Sequence, residues 1–386
     1  MKVVVAIDSL KGSLSSLEAG EAIAEGVKKA VPEAEVVVRP LADGGEGTVE
    51  ALTLGMKGKL QSVIVTGPLG TKVECSYGII DPGENSGKTA ILEMSGAAGI
   101  TLLKEEERNP LYTTTYGVGE VIKDAIAKGC RHFIVGIGGS ATNDGGIGML
   151  QALGFGILDK DGKQVPYGAA GLKEIETVTD DYVLPELKEC TFRIACDVTN
   201  TICGEQGCSA VFGPQKGADS EMIRQMDQWL SYYVAVSKAK YPKANAEQAG
   251  TGAAGGLGFA FLTYTNAVLE SGIKIVLEET RLEDYIKNAD IVVTGEGRLD
   301  GQTVMGKAPI GVAAIAKKYD KLVLAFAGCV TEDAVDCNNH GIDAYFPILR
   351  GVATLQEAMD SENARKNMTA AVCQVFRLVG YQKKEN

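Results

Sequence analysis

Residues 2–39, KVVVAIDSLKGSLSSLEAGEAIAEGVKKAVPEAEVVVR, read as one strand–helix–strand unit, and that unit sets the fold class. The run 2–7 is apolar and largely β-branched without alternation, as in a strand covered on both faces. Ser15-Ser16-Leu17-Glu18 has the spacing of a capping box, and the helix it opens carries Ile23, Val27 and Val31 at helical intervals. Pro32 stops that helix, and 35–39 is a second strand. A strand, a helix and a strand in 38 residues make a βαβ unit of a parallel sheet.

The continuation of this sheet lies far downstream. An apolar strand at 291–294 is followed by a helix over 310–318, strands at 321–326 and 344–348, and a last helix. The middle reads differently. Short strands at 61–66, 73–80 and 89–94, separated by turn signals, predict an antiparallel meander, and helices and strands mix from 115 to 280. The expected architecture is α/β. A discontinuous parallel-sheet domain, residues 1–70 and 281–386, is interrupted by a large inserted α+β domain, residues 71–280.

At 386 residues the chain exceeds what one hydrophobic core ordinarily supports, which agrees with two domains. A net charge of −12 removes the basic footprint that non-specific nucleic-acid binding needs. No run approaches the ~18 apolar residues of a membrane helix, and the apolar N-terminal run is too short for a signal peptide. Nine cysteines, an odd number without a CxxC pair, suit free thiols in a reducing compartment, and two histidines are too few for a His-rich metal site. A cytoplasmic protein is expected, with small-molecule partners, no nucleic acid and no membrane, as a monomer or homodimer.

Besides the glycine loop at 138–146, four polar loops follow strands, where ligands bind in open α/β sheets. The first is Asp8-Ser9-Leu10-Lys11, after the opening strand; Lys11 can neutralise a phosphate or carboxylate, and Asp8 can accept a hydroxyl proton or hold a metal. Asp43-Gly44-Gly45-Glu46-Gly47 follows the second strand, with Asp43 and Glu46 placed to grip hydroxyls or magnesium. Cys196-Asp197-Val198-Thr199-Asn200 ends the strand 191–195, and the turn Gly213-Pro214-Gln215-Lys216-Gly217 beyond it offers another cation. The fourth runs from Gly295 to Lys307 and includes Glu296, Arg298, Asp300 and Gln302. Residues 301–307 match GxxxxGK, but Ala308 stands where a P-loop has Ser or Thr, and the strand is expected to end at Thr294, too far back for that motif.

Densest of all is Gly138-Gly139-Ser140-Ala141-Thr142-Asn143-Asp144-Gly145-Gly146. It follows the strand 133–137 and precedes a helix starting near Ile147. Bare backbone amides and a helix start suit a phosphate. Two similar stretches carry less. Residues 82–89 mimic a P-loop but begin with Pro82 between two strands, as a hairpin tip would. Gly252–Gly258 lacks GxGxxG and a preceding strand, so tight packing or a hinge fits it better than dinucleotide binding. Without a histidine in these loops, serine or cysteine hydrolysis lacks its base. Lysines, carboxylates and amides suit phosphoryl transfer, which proceeds by positioning and charge stabilisation.

The segments DSLKGSLSS, ADGGEGT, GIGGSATNDGGIGM, CDVTN…GPQKGA and TGEGRLDGQTVMGK resemble, in this order and over almost the whole chain, those of the two-domain first class of bacterial glycerate kinases. The resemblance implies a flavodoxin-like domain of strand order 2-1-3-4-5 with an inserted domain. It also implies ATP- and Mg2+-dependent phosphorylation of D-glycerate, the 2-hydroxyl being favoured over the 3-hydroxyl. A kinase of another small hydroxy acid and a non-catalytic nucleotide- or flavin-binding module are the rivals.

Under this resemblance Asp197 is the expected general base, with Asp43 the alternative, and Lys11 and Lys307 neutralise the substrate carboxylate and the transferring phosphate. Asp8, Ser9, Gly44, Gly45, Glu46, Asn200 and Arg298 bind substrate. Gly138, Gly139, Ser140, Thr142, Asn143, Gly295, Glu296 and Gln302 bind nucleotide, and Asp144 or Asp300 holds magnesium. One departure is visible: family members run Asn-Pro-Leu where this chain has Asn200-Thr201-Ile202, and loss of that proline is expected to loosen the loop.

Overall fold

A computed structural model describes residues 1–42, 47–81, 83 and 87–382. Asp43, Gly44, Gly45 and Glu46, four of the expected site residues, lie outside the described residues, as does most of the hairpin tip at 82–86. The strands in chain order are β1 (Lys2–Val5), β2 (Glu35–Val38), β3 (Lys59–Thr66), β4 (Lys72–Ile80), β5 (Lys88–Glu93), β6 (Cys130–Gly136), β7 (Gly156–Leu158), β8 (Thr177–Thr179), β9 (Thr191–Ala195), β10 (Ala267–Glu270), β11 (Ile291–Leu299), β12 (Leu322–Val330) and β13 (Ala344–Pro347).

The described chain divides into two compact units. The first takes residues 1–42, 54–56 and 273–382; the second takes 47–53 and the described part of 57–272. In the first unit five parallel strands run in the order β13-β12-β11-β1-β2. Val3, Val4 and Val5 are 0% exposed, so the absence of alternation in the opening run reflects a central strand covered on both faces. Helix Ser16–Ala30 starts at the Ser15–Glu18 capping box and buries Ile23 and Val27. It lies so close to helix Ser361–Gln382 that a Cβ on Gly26 would sit 2.7 Å from the Thr369 carbonyl. Phe326, Met368, Val372 and Phe376 complete this core.

The second unit has a six-stranded sheet, β10-β9-β6-β5-β4-β3, and a two-stranded ribbon of β7 and β8. As the turn signals predicted, β3, β4 and β5 are antiparallel; β5, β6, β9 and β10 are parallel. Stacked rings of Phe133 and Phe192, 4.7 Å apart, join Phe261 in its core.

The boundaries differ from those expected at 70 and 281. β3 pairs residue by residue with β4, from Lys59↔Ile79 to Thr66↔Lys72, which carries 59–70 into the second unit. Helix Gly272–Glu279 packs from Ile273 against Gly311 of helix Ala308–Lys317, which carries 273–280 into the first. Turn residues mark where a strand ends but not which sheet it joins. Among the described residues no helix is long and apolar enough to cross a membrane.

Candidate functional site

In the first unit, chemistry gathers at the carboxyl ends of β1 and β11. Register places Val5 beside Val293, and the Asp8 amide donates to the Gly295 carbonyl at 3.0 Å. Asp8 is 6% exposed, and its Oδ1 accepts the Ser9 amide at 2.7 Å. Lys11 is exposed on the same turn, its amide nitrogen 3.5 Å from where a Cβ on Gly297 would stand.

The segment 295–299 continues β11 instead of forming the long loop expected from a strand ending at Thr294. It pairs with β12 as far as Leu299↔Val330, so its glycines serve the sheet. Gly295 has φ +153°, and a Cβ there would overlap the Phe326 carbonyl at 1.8 Å. Strand packing by itself therefore requires glycine at this position.

Beyond this strand Glu296, Asp300 and Lys307 come together. Lys307 Nζ lies 3.6 Å from Glu296 Oε2 and 3.6 Å from Asp300 Oδ1. Glu296 Oε1 accepts Thr303 Oγ1 at 2.7 Å, and Asp300 Oδ1 accepts the Gln302 amide at 3.0 Å. Burial pushes the Glu296 carboxyl above its ordinary value, against the Thr303 hydrogen bond and the charge of Lys307. Lys307 is also the residue preceding helix Ala308–Lys317, which opens with Pro309 in its first turn. Arg298 projects to solvent with its Nε 3.5 Å from Asp300 Oδ2, and Gln302 is exposed.

In the second unit the parallel strands β5, β6, β9 and β10 end in register, with Gly136 beside both Glu93 and Ala195, and Glu270 beside Ala195. Gly138 and Asp197 therefore each lie two residues past paired positions on adjacent strands. Gly138 and Gly139 are exposed, and a Cβ on Gly138 would meet nothing within 4 Å. Asp197 is exposed, and its Oδ1 accepts the Gly272 amide at 3.1 Å. Asn200 spends its amide group on the Gln206 carbonyl at 2.9 Å.

The 200–202 turn, where the missing proline was expected to loosen the loop, has several backbone anchors. Its backbone is held by Gly252 N–H to the Asn200 carbonyl (2.9 Å), Cys208 N–H to the Thr201 carbonyl (3.1 Å) and Ile202 N–H to Thr251 Oγ1 (3.1 Å).

Past Gly139 the glycine loop turns inward. Ser140 is 8% exposed, and Thr142, Asn143 and Asp144 are 0% exposed. Asp144 Oδ2 accepts the Thr115 amide and hydroxyl, both at 2.8 Å, and Oδ1 accepts the Gly146 amide at 3.0 Å. This carboxylate clasps the start of helix Ile147–Ala152, so neither it nor that helix N-terminus fits the magnesium and phosphate roles expected of them. The physical reason is occupancy: inward-facing oxygens already filled by protein donors leave no open coordination position. Asn143 Nδ2 donates to Ser209 Oγ at 2.8 Å, while Asn143 Oδ1 and Thr142 Oγ1 are buried with no hydrogen-bond partner among the described residues.

Gly252–Gly258 proves to be the seat of this loop. Gly255 and Gly256 have φ of +65° and +93°, and a Cβ on Gly255 would lie 2.1 Å from the Thr142 carbonyl. Gly145 N–H donates to the Gly255 carbonyl at 2.9 Å.

Magnesium binding calls for hard oxygen donors with open positions, commonly one or two carboxylates completed by phosphate and water. Asp300 with Glu296 meets that chemistry. Among the described residues no group of three or more His, Cys, Asp or Glu is arranged for a metal ion, so a magnesium ion at this pair would need further oxygens from outside it.

Glu93 and Ser95, which were not singled out in the sequence, stand at the carboxyl end of β5 beside the glycine loop. Glu93 Oε1 accepts the Val49 amide at 2.9 Å, and a Cβ on Gly139 would lie 3.5 Å from Ser95 Cβ. Their signal was available: Glu93 directly after the apolar run 90–92, then Ser95 before Gly96.

Comparison with known proteins places these features in a family. The family model described as "Glycerate kinase family" matches residues 3–380. The chain is 47% identical to a glycerate kinase of Haemophilus influenzae over 99% of this chain and 100% of that one. It is 46% identical to a glycerate 2-kinase of Escherichia coli over 93% of each. A crystal structure assigned as glycerate kinase 2 from Salmonella typhimurium LT2 superposes with a TM-score of 0.91 at 41% identity, covering both chains completely.

Proposed function

We propose, from the premise that this chain belongs to the glycerate kinase family, that it transfers the γ-phosphoryl group of ATP to the 2-hydroxyl of D-glycerate. Phosphotransfer to an alcohol acceptor is the family's activity. The single observation that carries the chemistry is Lys307 held 3.6 Å from both Glu296 and Asp300 at the end of a parallel strand. The lysine can neutralise a phosphate oxygen, and the two carboxylates beside it would hold the magnesium ion that a nucleotide brings.

In this reading the exposed backbone of Gly138 and Gly139 receives nucleotide phosphates, and Asp300 with Glu296 would hold magnesium. Lys11 and Lys307 neutralise the glycerate carboxylate and the moving phosphoryl group. Asp197 takes the proton from the 2-hydroxyl as the oxygen attacks phosphorus; the bond from phosphorus to the bridging oxygen of ADP breaks, and ADP leaves with its electron pair. Asp43 is the alternative base. The strand order β2-β1-β11-β12-β13 supports a flavodoxin-like first domain with the second unit inserted into it. The name of the E. coli relative, glycerate 2-kinase, supports the 2-position.

The test is ADP release with D-glycerate, tartronate and hydroxypyruvate as acceptors, with phosphorus NMR of the product. D-Glycerate should give the highest kcat/KM and a 2-phosphoglycerate resonance. A 3-phosphoglycerate signal overturns the regiochemistry, and preference for another acid overturns the substrate.

A further inference from the structure

The cation that sequence reasoning left without a role sits beneath the glycine loop. Lys216 is 2% exposed, and its Nζ donates to Ser140 Oγ at 2.8 Å and to the Thr142 carbonyl at 2.6 Å. Burying an ammonium is costly unless it is well bonded, so a lysine here must be offset by what it holds. Burial pulls it down to about 8 while Cys208 and Asp144 push the other way.

The turn that delivers Lys216 is itself rigid. Pro214 opens its 3-10 turn, and Gly217 closes it at φ +90°, where a Cβ would lie 2.2 Å from the Arg108 carbonyl. On the other side of the glycine loop, the Ile100 amide donates to the Gly139 carbonyl at 2.8 Å and the Ala141 amide to the Ala98 carbonyl at 2.9 Å. The loop is thus gripped from two sides, while Gly138 and Gly139 remain exposed. The buried, unpartnered Thr142 Oγ1 and Asn143 Oδ1 show how much polar desolvation this conformation carries. A loop needed only to join β6 to a helix has no use for a buried cation.

We propose that Lys216 is a positioning residue for the donor nucleotide: it holds 138–142 in the conformation that presents the Gly138 and Gly139 backbone, and its charge favours an anion bound there. Its own nitrogen is committed to Ser140 and Thr142, so it acts through the loop. The inference rests on the reading of 138–140 as phosphate-binding backbone.

The full-length enzyme is compared with K216M, K216R, S140A and G138D, measuring kcat, both KM values, ADP affinity by calorimetry and thermal melting. K216M should raise the KM for ATP by about tenfold or more and weaken ADP by a similar factor, with the KM for D-glycerate within about twofold. K216R should recover part of the loss, because the positive charge is kept. A folded K216M with unchanged KM for ATP and unchanged ADP affinity overturns the proposal, as does an equal shift in both KM values. Should K216M fail to fold, S140A, which removes one acceptor and leaves the lysine bonded to the Thr142 carbonyl, should raise the KM for ATP about threefold; no rise overturns it. G138D places a carboxylate in open space on the exposed loop and should abolish ADP binding. If it does not, the phosphate reading of the loop falls; if it does while K216M is silent, only the role of Lys216 falls.

Discussion

Asp197 and Glu296, two carboxylates of the proposed site, differ in burial. Asp197 is exposed beyond β9, as a proton acceptor for an incoming hydroxyl must be. D197N keeps the oxygen that accepts the Gly272 amide but cannot take a proton. Its kcat should fall by about 10²–10⁴-fold while ATP affinity stays near wild type. Turnover within about threefold of wild type rules Asp197 out as the base and turns attention to Asp43. Glu296 is a buried carboxylate whose protonation is favoured by the fold, so it stabilises fully below its ordinary value of 4.5 and loses that contribution as pH rises through its elevated native value. At neutral pH its ionised form is therefore a cost, which E296Q removes while Gln can still accept from Thr303. E296Q should melt at or above wild type at pH 8, with the difference narrowing toward pH 5 and phosphotransfer impaired at both. A variant that melts well below wild type at pH 8 shows that the ion pair with Lys307 outweighs desolvation.

At the scale of elements, the glycine loop depends on a segment more than a hundred residues downstream in the chain. Gly255, in the left-handed turn that begins helix Ala253–Tyr264, touches the Thr142 carbonyl that Lys216 also holds. G255A adds a methyl 2.1 Å from that oxygen and strains a φ of +65°. The loss should be about 2–4 kcal/mol in urea unfolding, with a raised KM for ATP. Unchanged stability would mean that this turn relaxes freely and does not seat the loop. Motif-like stretches are ambiguous at this scale for the same reason. The glycines of 252–258 suggested close packing from sequence alone, but the partner they pack against lies on another element. β11 makes the complementary point, since a glycine at 295 looks like a loop residue until the Phe326 carbonyl is seen beside it.

For the whole molecule, metal removal is the direct check on the Asp300–Glu296 assignment. Chelation with EDTA should abolish ADP formation and added Mg2+ should restore it, with D300N needing more Mg2+ for half-maximal rate. Activity indifferent to EDTA would remove magnesium from the mechanism. Much of this organisation was legible beforehand. The opening βαβ unit, its distant continuation, the antiparallel meander and the polar strand ends were read from local signals: β-branched runs, a capping box, prolines and glycines. The boundaries near 57 and 272 were not, because pairing of β3 with β4 and packing of Ile273 on Gly311 are choices between sheets. The sequence by itself determined the parallel-sheet class and the motifs that place the chain in its family, since those follow from short-range spacing and residue type. Only the tertiary structure decided that Asp144 faces inward as a clasp, that Thr142 and Asn143 are buried, and that Lys216 lies under the loop. Burial and hydrogen-bond occupancy depend on Thr115, Ser209 and Gly255, residues that no local pattern connects to 138–146.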